Sequence, residues 1–180
     1  MGKITEVFKN EWITVKQFSD EKLGVKAYYF SHDTRSDGQS IAILPFRKLV
    51  NGGIEFLLKG DIIPAWGEKI QLCSITGAVE QPSSKEAAII ELDEEVGYTV
   101  IEDELISLGT CFGHKGSDTI NHLYTVDLTE KFAHEAKGDG YEKKLGNESH
   151  WVGKLNDVQD PLVAIMAWRT YKYLIENNIT

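Results

Sequence analysis

Residues 77–97, GAVEQPSSKEAAIIELDEEVG, carry three carboxylates at a spacing that a helix gathers onto one side. Glu91, Glu94 and Glu95 stand at i, i+3 and i+4, within roughly 100° of one helix face. Ala88, Ile89, Leu92 and Val96 form a separate apolar stripe beside them. Ser83, with Glu86 three residues on, predicts the helix start through a capping box, and Gly97 predicts its stop. The stripe needs a core to bury it. The three acids repel one another at this spacing unless something offsets their charge, and a divalent cation does so. The stretch therefore predicts a metal site on a helix held above a core.

The rest of the composition narrows the classes. A chain of 180 residues, 42% hydrophobic, suits one domain with a real core. A net charge of -9 argues against general binding to nucleic-acid backbones, which takes a basic surface. It leaves room for an anionic small molecule, because a bound metal reverses the local sign. Cys73 and Cys111 lack the CxxC or Cys/His spacing of a zinc site and read as buried, reduced thiols. No signal-peptide core and no apolar run of membrane length stand out, so the expectation is a cytoplasmic protein with no membrane partner.

In chain order, residues 1–38 read as an amino-terminal β-hairpin appendage, with β-rich runs at 12–15 and 26–30. Residues 39–180 form the main domain. Residues 40–47 and 54–59 predict a strand pair joined by Asn51-Gly52-Gly53, a hairpin turn signal. Arg47 and Lys59 end those strands as candidate phosphate contacts. Trp66 sits in a loop, open to packing or to stacking on a base. Residues 73–76 lead as a strand into Gly77. Residues 105–112 and 122–128 predict two further strands, and the polar loop between them offers Lys115, Ser117 and Asp118 to a ligand. Residues 149–152 read as a short strand. Asp160-Pro161 opens a final helix with Leu162, Ile165, Met166, Trp168, Tyr171 and Leu174 on its apolar side. Hairpins, helix, hairpin, helix give an α+β fold with a mixed sheet between helices.

Residues 90–98, Ile-Glu-Leu-Asp-Glu-Glu-Val-Gly-Tyr, resemble the second half of the Nudix box, Arg-Glu-apolar-x-Glu-Glu-x-Gly-apolar, with Ile90 at the arginine position. Gly77-Ala78-Val79-Glu80 resembles the Gly-x-x-Glu turn that opens the box, and the spacing from there to the helix is one residue short. Length, flanking strands and amino-terminal hairpin resemble the ADP-ribose pyrophosphatase branch, which often dimerises through that hairpin. The branch usually carries a proline in the loop after the box, near His114, and this chain has none there.

The resemblance implies a Nudix-like α/β/α sandwich and metal-dependent hydrolysis of a nucleoside diphosphate linked to another group. The substrate would be a nucleotide sugar such as ADP-ribose, or a dinucleotide. The products would be a nucleoside monophosphate and a phosphorylated remainder. It implies Mg2+ or Mn2+ on Glu91 and Glu95, with Glu94 a ligand or the partner of one, and a backbone carbonyl from Gly77 or Ala78. Glu94 and Glu95 belong to the catalytic set on the same ground, and Glu148 or Glu142 is the candidate general base. It also implies a homodimer. Ile90 in place of the orienting arginine predicts weaker metal affinity or lower activity than a full box gives. The alternative is a catalytically weak Nudix-fold module that binds and senses a nucleotide sugar.

Overall fold

Residues 41–44 and 56–58 are buried at every position rather than at alternate ones, and such runs need a sheet covered on both faces. The computed structural model, which describes residues 2–136 and 148–179, has that arrangement. Its strands are β1 (Lys3–Lys9), β2 (Ile13–Asp20), β3 (Val25–Asp33), β4 (Gln39–Ile43), β5 (Phe46–Lys48), β6 (Ile54–Asp61), β7 (Gln71–Cys73) and β8 (Ile75–Ala78). Helix α1 (Ser84–Val96) follows, then β9 (Ile106–Phe112), β10 (Ile120–Thr125), β11 (Ser149–Val152) and helix α2 (Pro161–Glu176). One sheet runs β8-β4-β10-β9, with β4 and β10 parallel and the other pairs antiparallel. A second runs β11-β6-β5, with β7 also on β6. Among the described residues the fold is α+β, with helices α1 and α2 packed on mixed β-structure.

Strand alternation sorts the core into two halves. Ile41, Ile43 and Leu57 join Ala88, Leu92 and Val96 of α1 in one cluster. Ala42, Leu44, Phe56 and Leu58 join Val163, Met166 and Leu174 of α2 in the other. Residues 40–47, expected as one strand, are two. Pro45 has no N–H to donate, and the chain changes sheet there. Leu44 and Phe46 donate to Tyr124 and Val126, whereas the Pro45 carbonyl accepts from Leu57. Likewise β7 and β8 separate at Ser74, whose N–H and hydroxyl both donate to Asp160, at 2.8 and 2.6 Å. Asp160 also caps α2, accepting from the Leu162 N–H at 2.8 Å.

The amino-terminal segment holds three antiparallel strands, β1-β2-β3, where two were expected. It docks on the loop at 113–119: Ser31 donates its N–H to Gly116 and accepts from the Asp118 N–H. Trp168 corrects the expected apolar side of α2. It is 63% exposed, with Lys172 Nζ 5.8 Å from its ring centre, while Val163, Ala167 and Thr170 fill the inner face instead. No helix among the described residues is long and apolar enough to cross a membrane.

Two carboxyls give the fold an acid-sensitive margin. A hydrogen bond from Lys131 holds Glu104 below its ordinary range. Burial pushes Asp127 up, and hydrogen bonds from Thr129 and Lys48 together outweigh it and bring it down. A lowered folded pKa contributes stability above the unfolded value, and that stability is lost as pH falls through the folded one. Melting curves of the native chain and of Lys131→Met should therefore lie apart near neutrality and converge below the carboxylate range.

Candidate functional site

Helix α1 sets the site. Ser83 accepts from the Glu86 N–H at 3.1 Å, one half of the predicted capping box. Gly97 ends the helix at φ 72, and the Tyr98 N–H closes back on the Leu92 carbonyl at 3.0 Å. With Ala88, Leu92 and Val96 pinned on β4 and β8, the carboxylate face turns toward the end of β8. Glu91, Glu94 and Glu95 line one cleft of about 290 Å³, together with Gly77, Ala78 and Arg35.

Each acid is held differently. Glu91 lies against Gly77 so closely that a Cβ there would stand 2.1 Å from its Oε1. Only glycine leaves that space. Glu95 is nearly buried, its side chain 9% exposed, and its Oε1 accepts from Lys59 Nζ at 2.5 Å. Lys59 reaches it because alternation puts residues 57 and 59 of β6 on the α1 side. Glu94 is exposed. The Gly77 carbonyl accepts from the Ser40 hydroxyl at 3.0 Å, and the Ala78 carbonyl from the Glu80 N–H at 3.1 Å. Among the described residues no three His, Cys, Asp or Glu side chains converge into a ready-made metal cage. The donor set, carboxylate oxygens with a glycine that makes room for one of them, suits a hard cation such as Mg2+ or Mn2+.

A second cavity of about 350 Å³ opens beside the first and shares Glu95 and Thr76 with it. Trp66, Lys59, His114, Ser117 and Asn121 are among its walls. Trp66 is 45% exposed. Cys73 also lines it, and burial pushes that thiol up to about 12, with Asp160 and Asp61 adding to the rise and Lys59 opposing it. Burial raises Cys111 as well, against a smaller lowering by Arg169. Thiol-reagent kinetics at mildly alkaline pH should find Cys73 slow in the native protein and fast once unfolded in guanidinium.

Other expected site residues are not gathered here. Arg47 donates to Glu55, at 2.6 Å in its shortest bond, and stacks over Trp151 at 4.4 Å. It lines neither cleft. Lys115 borders a separate open pocket with Tyr28 and Phe112, and its carbonyl accepts from the Tyr28 hydroxyl. Asp118 accepts from His32 Nδ1 at 3.0 Å and pairs with Lys16 at 3.4 Å, so it fastens the amino-terminal sheet. Ser117 reaches the second cavity and donates to Thr119 at 2.9 Å. Glu148 lines neither cleft, and its carbonyl accepts from the Gly60 N–H at 2.9 Å. Glu142 lies outside the described residues. Sequence reasoning missed Arg35, which sits in a turn that reads only as polar; it lines the cleft while its guanidinium stacks over Trp12 at 4.8 Å and faces Asp33 at 4.0 Å.

Gly77→Ala tests the close approach. The added methyl should displace the Glu91 carboxylate and weaken Mn2+ binding by about tenfold, as loss of an orienting contact does. Calorimetry with Mn2+ checks it, and unchanged affinity would remove Glu91 from the site.

No family model matches the sequence, and no curated protein does. Among solved structures, one described as "Crystal structure of ADP compounds hydrolase" superposes with a TM-score of 0.68 at 14% sequence identity. The match covers 97% of this chain and 93% of that one, so the two share a fold along nearly their whole length.

Proposed function

We propose that the chain is a Nudix-type pyrophosphohydrolase that cleaves a nucleoside diphosphate linked to a second group, such as a nucleotide sugar, with Mg2+ or Mn2+ as cofactor. The observation that carries this reading is the cleft where Glu91, Glu94 and Glu95 meet Gly77 and Ala78, joined at Glu95 to a second cavity walled by Trp66. The fold shared with an ADP compounds hydrolase supports it.

A pyrophosphate repels nucleophiles by its own charge. Glu91 and Glu95 would hold a divalent cation, which when bound would supply charge neutralisation and Lewis acidity toward a phosphoryl group. The chain's own residues do the rest. Glu95 and Glu91 stay fixed by Lys59 and by the space at Gly77. Arg35 borders the same cleft with a permanent positive charge for a phosphate oxygen. Trp66 offers a face to a base.

Incubation with a panel of nucleoside diphosphate derivatives and Mg2+ tests the reading, with nucleoside monophosphate as the product sought. Tight binding of one member without any product would favour the second reading, a sensing module, which Ile90 at the arginine position supports. A homodimer through the amino-terminal sheet belongs to the same proposal. Ile4, Phe8 and Trp12 of that segment are all more than half exposed. Light scattering at the monomer mass would remove it.

A further inference from the structure

We infer that Lys59 is the positioning residue of the acidic cleft, holding Glu95 from the strand side where position 90 supplies no cation. The inference rests on the hydrolase reading above and goes beyond it, because it moves Lys59 out of the set that contacts substrate.

Burial and distance carry the argument. The Lys59 and Glu95 side chains are each 9% exposed, and their contact is 2.5 Å. The mount is rigid. Lys59 lies in β6 with Ser149 of β11 opposite it on one side and Cys73 of β7 on the other. A lysine fixed at its backbone by two neighbouring strands has little freedom beyond its own stem. Its ammonium, 9% exposed, is held against the Glu95 carboxylate.

The helix itself has no way to do this. Ile90 is apolar and 37% exposed, and it lines neither cleft. An arginine there would face Glu94 at i+4 rather than Glu95 at i+5. Glu95 shares its cleft with Glu80, Glu91 and Glu94, all of the same charge. Their repulsion pushes its side chain outward, and the Lys59 bond draws it in.

The sign of one measurement separates positioning from simple charge balance. Deleting a cation near a metal site tightens a second cation by Coulomb attraction alone. Deleting the group that orients a ligand weakens it, typically ten- to a hundredfold in affinity or activity. Lys59→Met and Lys59→Arg are compared with the native chain for Mn2+ binding by electron paramagnetic resonance on the substrate-free protein. Turnover is followed with Mg2+ on the best member of the substrate panel, and circular dichroism melts report folding.

Lys59→Met should weaken Mn2+ by about tenfold and lower kcat by about ten- to a hundredfold, with KM moved less than about threefold. Lys59→Arg should recover most of both. A raised KM with unchanged kcat and Mn2+ affinity would make Lys59 a substrate contact and overturn the inference. Tighter Mn2+ binding in Lys59→Met would also overturn it, as would a melting loss that Lys59→Arg recovers without recovering Mn2+ affinity. If the native chain binds Mn2+ but hydrolyses nothing, the hydrolase reading alone fails, and the Mn2+ series still decides the role of Lys59.

Discussion

Glu95→Gln should lower kcat by two to three decades while leaving KM within a few-fold, the largest catalytic effect expected of any single change in this chain. A divalent cation contributes several kcal/mol to stabilising a phosphoryl transition state, and each 1.36 kcal/mol is about tenfold in rate. Glu95 is the acid shared by both cavities, so on the proposed function it stands where a diphosphate spanning the two would pass. The amide keeps its size and loses its charge. It also leaves the Lys59 ammonium beside a neutral group at 9% exposure, and breaking a buried pair costs about 3 kcal/mol. The melting temperature should fall too, so the rate is compared well below the transition. Glu94→Gln is the matched control. Glu94 is exposed, so its neutralisation should leave the melt unchanged and cost turnover less than Glu95→Gln does. Equal rates for Glu95→Gln and the native chain, with any substrate that is cleaved, would end the metal-hydrolase reading.

The sequence carried the helices well because their signals are local. Ser83 and Gly97 bound α1, and Asp160-Pro161 opens α2, each by chemistry acting within a few residues. The acid face was legible for the same reason: three positions on one helix share a side in any fold. What the sequence could not show was set by pairing at long range. The parallel contact of β4 with β10 joins residues some eighty apart, and nothing in either strand specifies it. Strand β1 went unread because all of its residues stay exposed, so no buried alternation marks it. Lys59 was legible as a strand-end cation, but its partner thirty-six residues on was not. The same limit hid Arg35 and misplaced the inner face of α2. A periodic stripe there fits several helix rotations, and only the sheet beneath selects Val163 and Ala167 over Trp168. The split of residues 40–47 at Pro45 was the one miss with a local warning, since proline inside a strand pattern already argues against continuity.

Gly97→Ala should produce the largest loss of stability that the change of a single hydrogen to methyl gives in this fold. Gly97 takes the left-handed conformation at φ 72, which costs an L-residue roughly 1–2 kcal/mol. A Cβ there would also stand 2.2 Å from the backbone oxygen of His134, in a segment tied back by the bond from its own N–H to the Gly97 carbonyl at 2.8 Å. His134 further holds Asp93 of α1 at 2.8 Å, so the chain at 134–136 must move and loosen the end of the helix with it. The sum should approach about 3 kcal/mol, a fall of roughly 6–12 °C in melting temperature for a domain of this size. Gly24→Ala calibrates the backbone part alone: φ there is 67 and the space around it is open. The melting difference between the two variants measures what the clash adds. Because Glu94 and Glu95 lie in the last turn before Gly97, the same substitution should also weaken Mn2+ binding at temperatures where the protein remains folded. A variant as stable as Gly24→Ala, with native Mn2+ affinity, would show that the helix end and the acid cleft are not coupled.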